Sequence, residues 1–106
     1  MKISNSKIKM NTLQAARLHA FVQGNVQGVG FRFYTMQNAW HLQLTGWVRN
    51  RSNGDVEILA EGEKGNLEEL VRALRKGPPS SDVKNVKVEW KEYEAEFKEF
   101  QPTYSV

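Results

Sequence analysis

The stretch Leu18-His19-Ala20-Phe21-Val22-Gln23-Gly24-Asn25-Val26-Gln27-Gly28-Val29-Gly30-Phe31-Arg32 decides how this chain folds. Its first part alternates. Leu18, Ala20 and Val22 share one side, and His19, Phe21 and Gln23 share the other, which is the pattern of a strand with two distinct faces. Gly24-Asn25 ends the strand. Gln27-Gly28-Val29-Gly30 follows, and from Phe31 the period changes to that of a helix. Phe31, Tyr34, Thr35, Asn38, Ala39 and Leu42 fall on one stripe.

Between that strand and that helix lie Gly24, Gly28 and Gly30. Glycine admits backbone conformations that turn successive N–H groups inward as an anion-binding nest. The helix that follows adds unpaired N–H groups and the positive end of its dipole. Arg32 stands in the first helical turn, where the dipole disfavours a cation. A bound anion would offset that repulsion, and the planar guanidinium matches phosphate oxygens. The loop lacks the Gly-Lys-Ser/Thr of a nucleotide-binding P-loop and the third glycine of a dinucleotide fingerprint. Taken by composition alone, it reads first as a glycine-rich turn followed by a solvated arginine.

Leu44 to Asn50 reads as a second strand carrying Trp47 and Val48. Ser52-Asn53-Gly54-Asp55 is a turn signal, and Asp55 to Glu61 reads as a third strand with Val56, Ile58 and Ala60 on one face. Asn66 is expected to cap a second helix, with Glu69 as its capping partner. Leu67, Leu70, Val71 and Leu74 supply the apolar face, and Gly77-Pro78-Pro79 ends the helix. Val86, Val88 and Trp90 alternate with Lys87, Glu89 and Lys91 in a fourth strand. Phe97 and Phe100 suggest a last short extended piece. The order β-α-β-β-α-β predicts an α+β, ferredoxin-like sandwich, a four-stranded antiparallel sheet with two helices on one face.

Length and composition bound the rest. The chain has 106 residues, 40% of them hydrophobic and 25% charged, which fits one globular domain. Residues 1–14 are polar and unpatterned, expected to form a flexible extension before a single domain at 15–106. There is no cysteine, so a disulfide scaffold, a thiolate zinc site and a cysteine nucleophile are excluded. No apolar run reaches the length of a membrane span, and Lys2, Lys7 and Lys9 precede no apolar block, so a cytoplasmic location is expected. The net charge of +3 and pI near 9.3 suit a small anionic substrate, and would also suit RNA.

Two runs together identify a family. Gly24-Asn25-Val26-Gln27-Gly28-Val29-Gly30-Phe31-Arg32 resembles the signature loop of the acylphosphatases. Gly46-Trp47-Val48-Arg49-Asn50, followed by Asn53-Gly54-Asp55-Val56-Glu57, resembles their second signature. The likeness continues through Ala60-Glu61-Gly62 and Gly77-Pro78-Pro79 and covers residues 16–101. It implies the same ferredoxin-like fold. It also implies hydrolysis of the carboxyl-phosphate bond of acyl phosphates to a carboxylate and orthophosphate, without metal or other cofactor. By this resemblance Val26, Gln27, Gly28, Val29, Gly30, Phe31 and Arg32 form the phosphate-binding loop. Arg32 takes the place of the family's phosphate-binding arginine, and Asn50 that of its water-positioning asparagine. Gln43 stands where the family usually has glycine, and Asn53 where aspartate is common.

The chemistry is consistent with few catalytic groups, because an acyl phosphate has a good carboxylate leaving group. Positioning and charge stabilisation then carry most of the work. Asn50 viewed alone sits at a strand end before a turn, where asparagine is common for local reasons. The Gly-Trp-Val-Arg run before it favours a role in the site. His19, His41, Phe21 and Trp47 are expected to be structural, and Asp55 and Glu57 to be solvated charges on a strand face. Two scattered histidines make no metal-ligand cluster. Two other functions share these features. Gly28 to Phe33 faintly echoes the aromatic motif of RNA-recognition domains, though it follows the first strand rather than lying on the third. A non-catalytic phosphate-binding accessory domain would carry the same pocket. The expected partner is a small-molecule acyl phosphate, with no nucleic acid and no membrane, acting on a monomer.

Overall fold

Alternation puts Leu18, Ala20 and Val22 on the core face of strand β1 (Ala15–Asn25), all three fully buried. This computed structural model describes residues 14–106, so the proposed extension at 1–14 lies outside the described residues except for Gln14. After β1 come helix α1 (Phe31–His41), strands β2 (Thr45–Asn50) and β3 (Val56–Glu63), helix α2 (Lys64–Lys76), strand β4 (Asp82–Lys91) and the short strand β5 (Phe100–Pro102). The sheet order is β4-β1-β3-β2-β5. The first four strands pair antiparallel throughout, in the expected ferredoxin-like arrangement.

The fifth strand goes beyond the expected four. It runs parallel to β2, with Gly46 opposite Phe100 and Val48 opposite Pro102. A three-residue strand has no legible alternation, and its single buried anchor is Phe100. Trp40 Nε1 holds it to α1 by donating to the Phe100 carbonyl at 2.9 Å.

One core lies between sheet and helices. Val48 of β2 and Val56, Ile58 and Ala60 of β3 meet Phe31 and Ala39 of α1 and Leu67, Leu70 and Leu74 of α2. The α1 stripe is as expected. Phe31, Thr35 and Ala39 are buried, while Tyr34, Asn38 and Leu42 are half-buried. Tyr34 spans to the neighbouring helix by donating its hydroxyl to the Ala73 carbonyl at 2.8 Å.

Two local expectations are corrected. Asn66 does not cap α2. The helix starts at Lys64 with Glu63 at the cap position, and the Asn66 side chain instead donates to the Leu42 carbonyl at 3.2 Å. It thereby joins α2 to the end of α1. Glu57 is not a solvated charge. It is 3% exposed, held by His19, Arg49 and Arg51 on the sheet face away from the helices. Strand alternation placed Glu57 on the correct face, but that face is covered by side chains from β1 and β2. Glu61, two residues on, is buried for a related reason. It accepts from Arg17 at 3.2 Å and from the backbone N–H groups of Glu94 at 2.7 Å and Glu96 at 3.0 Å. These bonds fasten the segment that leads from β4 to β5.

Candidate active site

Gly28 and Gly30 have φ of 74° and 81°, the left-handed region that side-chain-bearing residues avoid. They turn the chain between β1 and α1 so that Gly30 becomes the N-cap of α1 without any side-chain cap. The first turn of α1 carries no acidic residue. Its leading N–H groups therefore point outward unpaired, as at any uncapped helix start. Among the loop hydrogen bonds of the described residues, none is donated by the amides of Gln27 to Gly30.

The loop is fixed from its other side by Gln27. Its Nε2 donates to the carbonyls of Arg51 and Asp55, each at 2.8 Å. Both acceptors belong to the turn between β2 and β3. The side chain of Gln27 is thus committed to holding two segments together, and its contribution to anion binding is left to the backbone.

Asn50 ends β2. Val48 and Asn50 share the face that points toward the helices, by the period of two. Residue 50 therefore comes out at the sheet edge beside the start of α1. The Asn50 backbone carbonyl accepts from the Val106 N–H at 3.1 Å. Its side-chain Oδ1 is buried, and no protein group among the described residues donates to it. Buried polar atoms are nearly always paired, so this oxygen is left for a water or a ligand to satisfy.

Arg32 and Asn50 line one cavity of about 350 Å³. Gly28 and Gly30 contribute its loop wall, and Val26, Phe31, Phe33, Met36 and Pro102 make the rest. Arg32 is exposed and makes no ion pair among the described residues, whereas Arg17, Arg49 and Arg51 are each paired with glutamate. The arrangement presents one uncompensated guanidinium, a helix N-terminus and a row of backbone amides to the same space, which is the equipment for holding a phosphoryl group.

The remaining candidates lie away from this cavity. His19 packs on Phe21 with ring centroids 4.7 Å apart, and its Nε2 lies 2.7 Å from Glu57. Arg49 covers Trp47 at 4.6 Å. Phe21 and Trp47 are thus packing residues, as expected. His41 is exposed at the end of α1. Burial disfavours ionisation of Glu57, yet hydrogen bonds from Arg49, His19 and Arg51 outweigh it and hold the carboxyl at about 2. Among the described residues no three His, Asp or Glu side chains are grouped to hold a metal ion. The segment Gly28 to Phe33 lies in the loop and α1, so Phe31 fills the core instead of an open sheet face. Sequence reading missed Gln27 as a tie and Phe33, Met36 and Pro102 as cavity walls. The apolar pair Phe33 and Met36, three apart on α1 beside Arg32, was the only available signal for the latter.

Comparison with known proteins shows the family. A family model described as Acylphosphatase matches residues 18–102. An acylphosphatase of Pelotomaculum thermopropionicum is 47% identical over 89 residues, covering 84% of this chain and 97% of its own length. One of Trichormus variabilis is 51% identical over 81 residues, covering 76% and 80%. Among solved structures, an acylphosphatase from Coxiella burnetii superposes with a TM-score of 0.82 at 40% identity, over 88% of this chain and 97% of that one. The match spans the glycine loop, Arg32 and Asn50 together with every strand of the main sheet, and the chain belongs to the acylphosphatase family.

Proposed function

We propose that this protein hydrolyses the carboxyl-phosphate bond of acyl phosphates, with Arg32 and the Val26–Arg32 loop holding the phosphoryl group and Asn50 placing the attacking water. The observation that carries this reading is that Asn50, whose Oδ1 is buried and takes no hydrogen bond from any described protein group, lines the same cavity as the unpaired Arg32. A water that donates to Oδ1 is held by an acceptor that cannot itself become a strong base. Its oxygen then attacks phosphorus as the bond from phosphorus to the acyl oxygen breaks. The bonding pair leaves with the carboxylate, and the water's proton passes to a phosphoryl oxygen, giving orthophosphate. Loop N–H groups and Arg32 stabilise charge on the equatorial oxygens. The carboxylate is stable as an anion, so the leaving group requires no acid. The step needs neither metal nor cofactor.

The absence of cysteine suits a reducing compartment, and we place the protein in the cytoplasm as a monomer acting on a small molecule, with no nucleic-acid or membrane partner. No helix among the described residues is long and apolar enough to cross a membrane. The test is turnover of benzoyl phosphate with EDTA present. Wild-type protein is expected to release orthophosphate at a rate indifferent to EDTA, and Arg32→Ala is expected to lose that activity. A folded Arg32→Ala protein with near-normal turnover overturns the assignment.

A further inference from the structure

The cavity has two unlike halves. Arg32, Asn50 and the glycine backbone form one. Val26, Phe31, Phe33, Met36 and Pro102 form the other, and this half carries no charge. We propose that the apolar half binds the acyl group and selects uncharged apolar acyl phosphates, aromatic or branched aliphatic, with Phe33 and Met36 as the specificity-determining residues. This rests on the assignment of the phosphoryl group to Arg32.

Phe33 is the observation that folding does not explain. It is 55% exposed on a helix whose other outward positions include Arg32, Gln37 and His41. Trp40 is also exposed, at 52%, but its ring nitrogen is bonded to β5. Phe33 is not among the core residues, while half-buried Met36 packs against their edge. Three residues apart on one helix, Phe33 and Met36 stand one above the other. Pro102 faces them from β5, held there by the Trp40 bond and by the pairing of Val48 with Pro102. The ring, the thioether and the proline make an apolar wall next to the phosphoryl site, as in many small-molecule pockets with a few placed polar groups.

Charge narrows the class further. Among the described residues, Arg32 is the only charged one lining the cavity. Once it holds the phosphoryl group, none of the described lining residues offers a cation to a carboxylate or second phosphate on the acyl side. Such a group would lose solvation against the apolar wall without a partner. A methyl group, as in acetyl phosphate, covers little of that wall.

Non-hydrolysable acylphosphonates, in which the acyl carbon is bonded directly to phosphorus and the bridging oxygen is absent, read this directly. Binding of benzoylphosphonate, acetylphosphonate and succinylphosphonate is measured by calorimetry on the full chain and on Phe33→Ala, Met36→Ala and Phe33→Leu. Benzoylphosphonate is expected to bind about tenfold more tightly than acetylphosphonate, and succinylphosphonate no more tightly than acetylphosphonate. Phe33→Ala should remove most of that preference while moving acetylphosphonate affinity by less than about twofold, and Phe33→Leu should keep most of it. Equal affinity of the wild type for the benzoyl and acetyl compounds overturns the proposal. So does a Phe33→Ala protein that weakens both alike. Benzoyl phosphate turnover measured alongside separates the two assignments. A binding preference without turnover upholds acyl selection and removes the hydrolytic reading, whereas turnover without preference removes acyl selection alone.

Discussion

The Gln27 side-chain amide donates to the Arg51 carbonyl at 2.8 Å, and this bond couples the glycine loop to the turn just beyond Asn50. A second bond from the same nitrogen to the Asp55 carbonyl doubles the tie. Arg32 and Asn50 come from separate elements, so their spacing depends on this junction. Removing the amide should let the loop and the turn drift apart.

Gln27→Ala is therefore expected to cost about 1–3 kcal/mol of stability, the scale of two side-chain hydrogen bonds with their acceptors left to water. It should also lower kcat about tenfold or more, because small misplacements of reacting groups are costly. Gln27→Glu cannot donate and places a carboxylate against two carbonyls, so it should be worse. Urea denaturation and steady-state kinetics check both effects. A Gln27→Ala enzyme with unchanged kcat would show that the tie is irrelevant to the spacing.

Arg32→Ala is expected to lose on the order of 10³-fold or more in kcat/KM, the scale for an arginine that stabilises phosphoryl transfer. Asn50→Ala should act mainly on kcat, by roughly 10²-fold or more, as for a lost positioning group in an acyl- or phosphoryl-transfer site. Orthophosphate inhibition separates the two roles. Its inhibition constant should rise sharply for Arg32→Ala and little for Asn50→Ala. Similar weakening in both variants would mean that Asn50 holds phosphate rather than water.

Low pH should destabilise the sheet through Glu57. Its folded value of about 2 lies below the ordinary 4.5. The unfolded chain therefore binds a proton first as pH falls. The stability contributed by ionised Glu57 is fully present above about 4.5 and is lost as pH falls toward about 2. The contribution is on the order of 2 kcal/mol, after allowance for partial exposure of Arg49 and Arg51. Thermal denaturation across pH 2–6 should show this slope in the wild type and a flatter one in Glu57→Gln. Glu57→Gln should also be less stable at neutral pH, since Arg49 and Arg51 lose their shared carboxylate.

Gln43→Gly should stabilise the protein. Gln43 holds φ at 58°, just after α1. A left-handed conformation costs a side-chain-bearing residue about 1–2 kcal/mol, part of which glycine gives back through the greater freedom of the unfolded chain. A net gain of about 0.5 kcal/mol is expected, seen as a small rise in Tm with kcat unchanged. A fall in Tm would show that the Gln43 side chain makes contacts that outweigh the strain.

The parts of this molecule that were legible in its sequence are those encoded by local rules. The change of period at Phe31 marked α1, the glycines marked the loop, and Asn53-Gly54 marked the hairpin turn. Arg32 stood out because a cation at a helix start runs against the dipole. Asn50 was legible only through the run of residues before it, since an asparagine at a strand end is otherwise unremarked. What escaped was set by distant partners. β5 is three residues long and pairs with β2 across the whole second half of the domain. Glu57 was misread because its partners come from β1, from β2 and from the turn beyond it. Asn66 obeyed the spacing of a cap, yet its side chain found a carbonyl on another element. The apolar wall of the cavity joins α1 to β5, so no single stretch of sequence contains it.

The unpaired oxygen of Asn50 also bears on how such a protein ages over generations. No protein group among the described residues donates to this oxygen, so it depends on an ordered water, and an apolar side chain of the same shape, such as leucine, would need no such partner. Sites kept for activity are commonly held against stability in this way. A lineage released from selection for turnover therefore drifts downhill at position 50, toward a sturdier domain that retains the loop and Arg32 and still captures phosphate. Descendants with an intact glycine loop and an apolar residue after Gly-Trp-Val-Arg are where binding proteins derived from this enzyme should be sought.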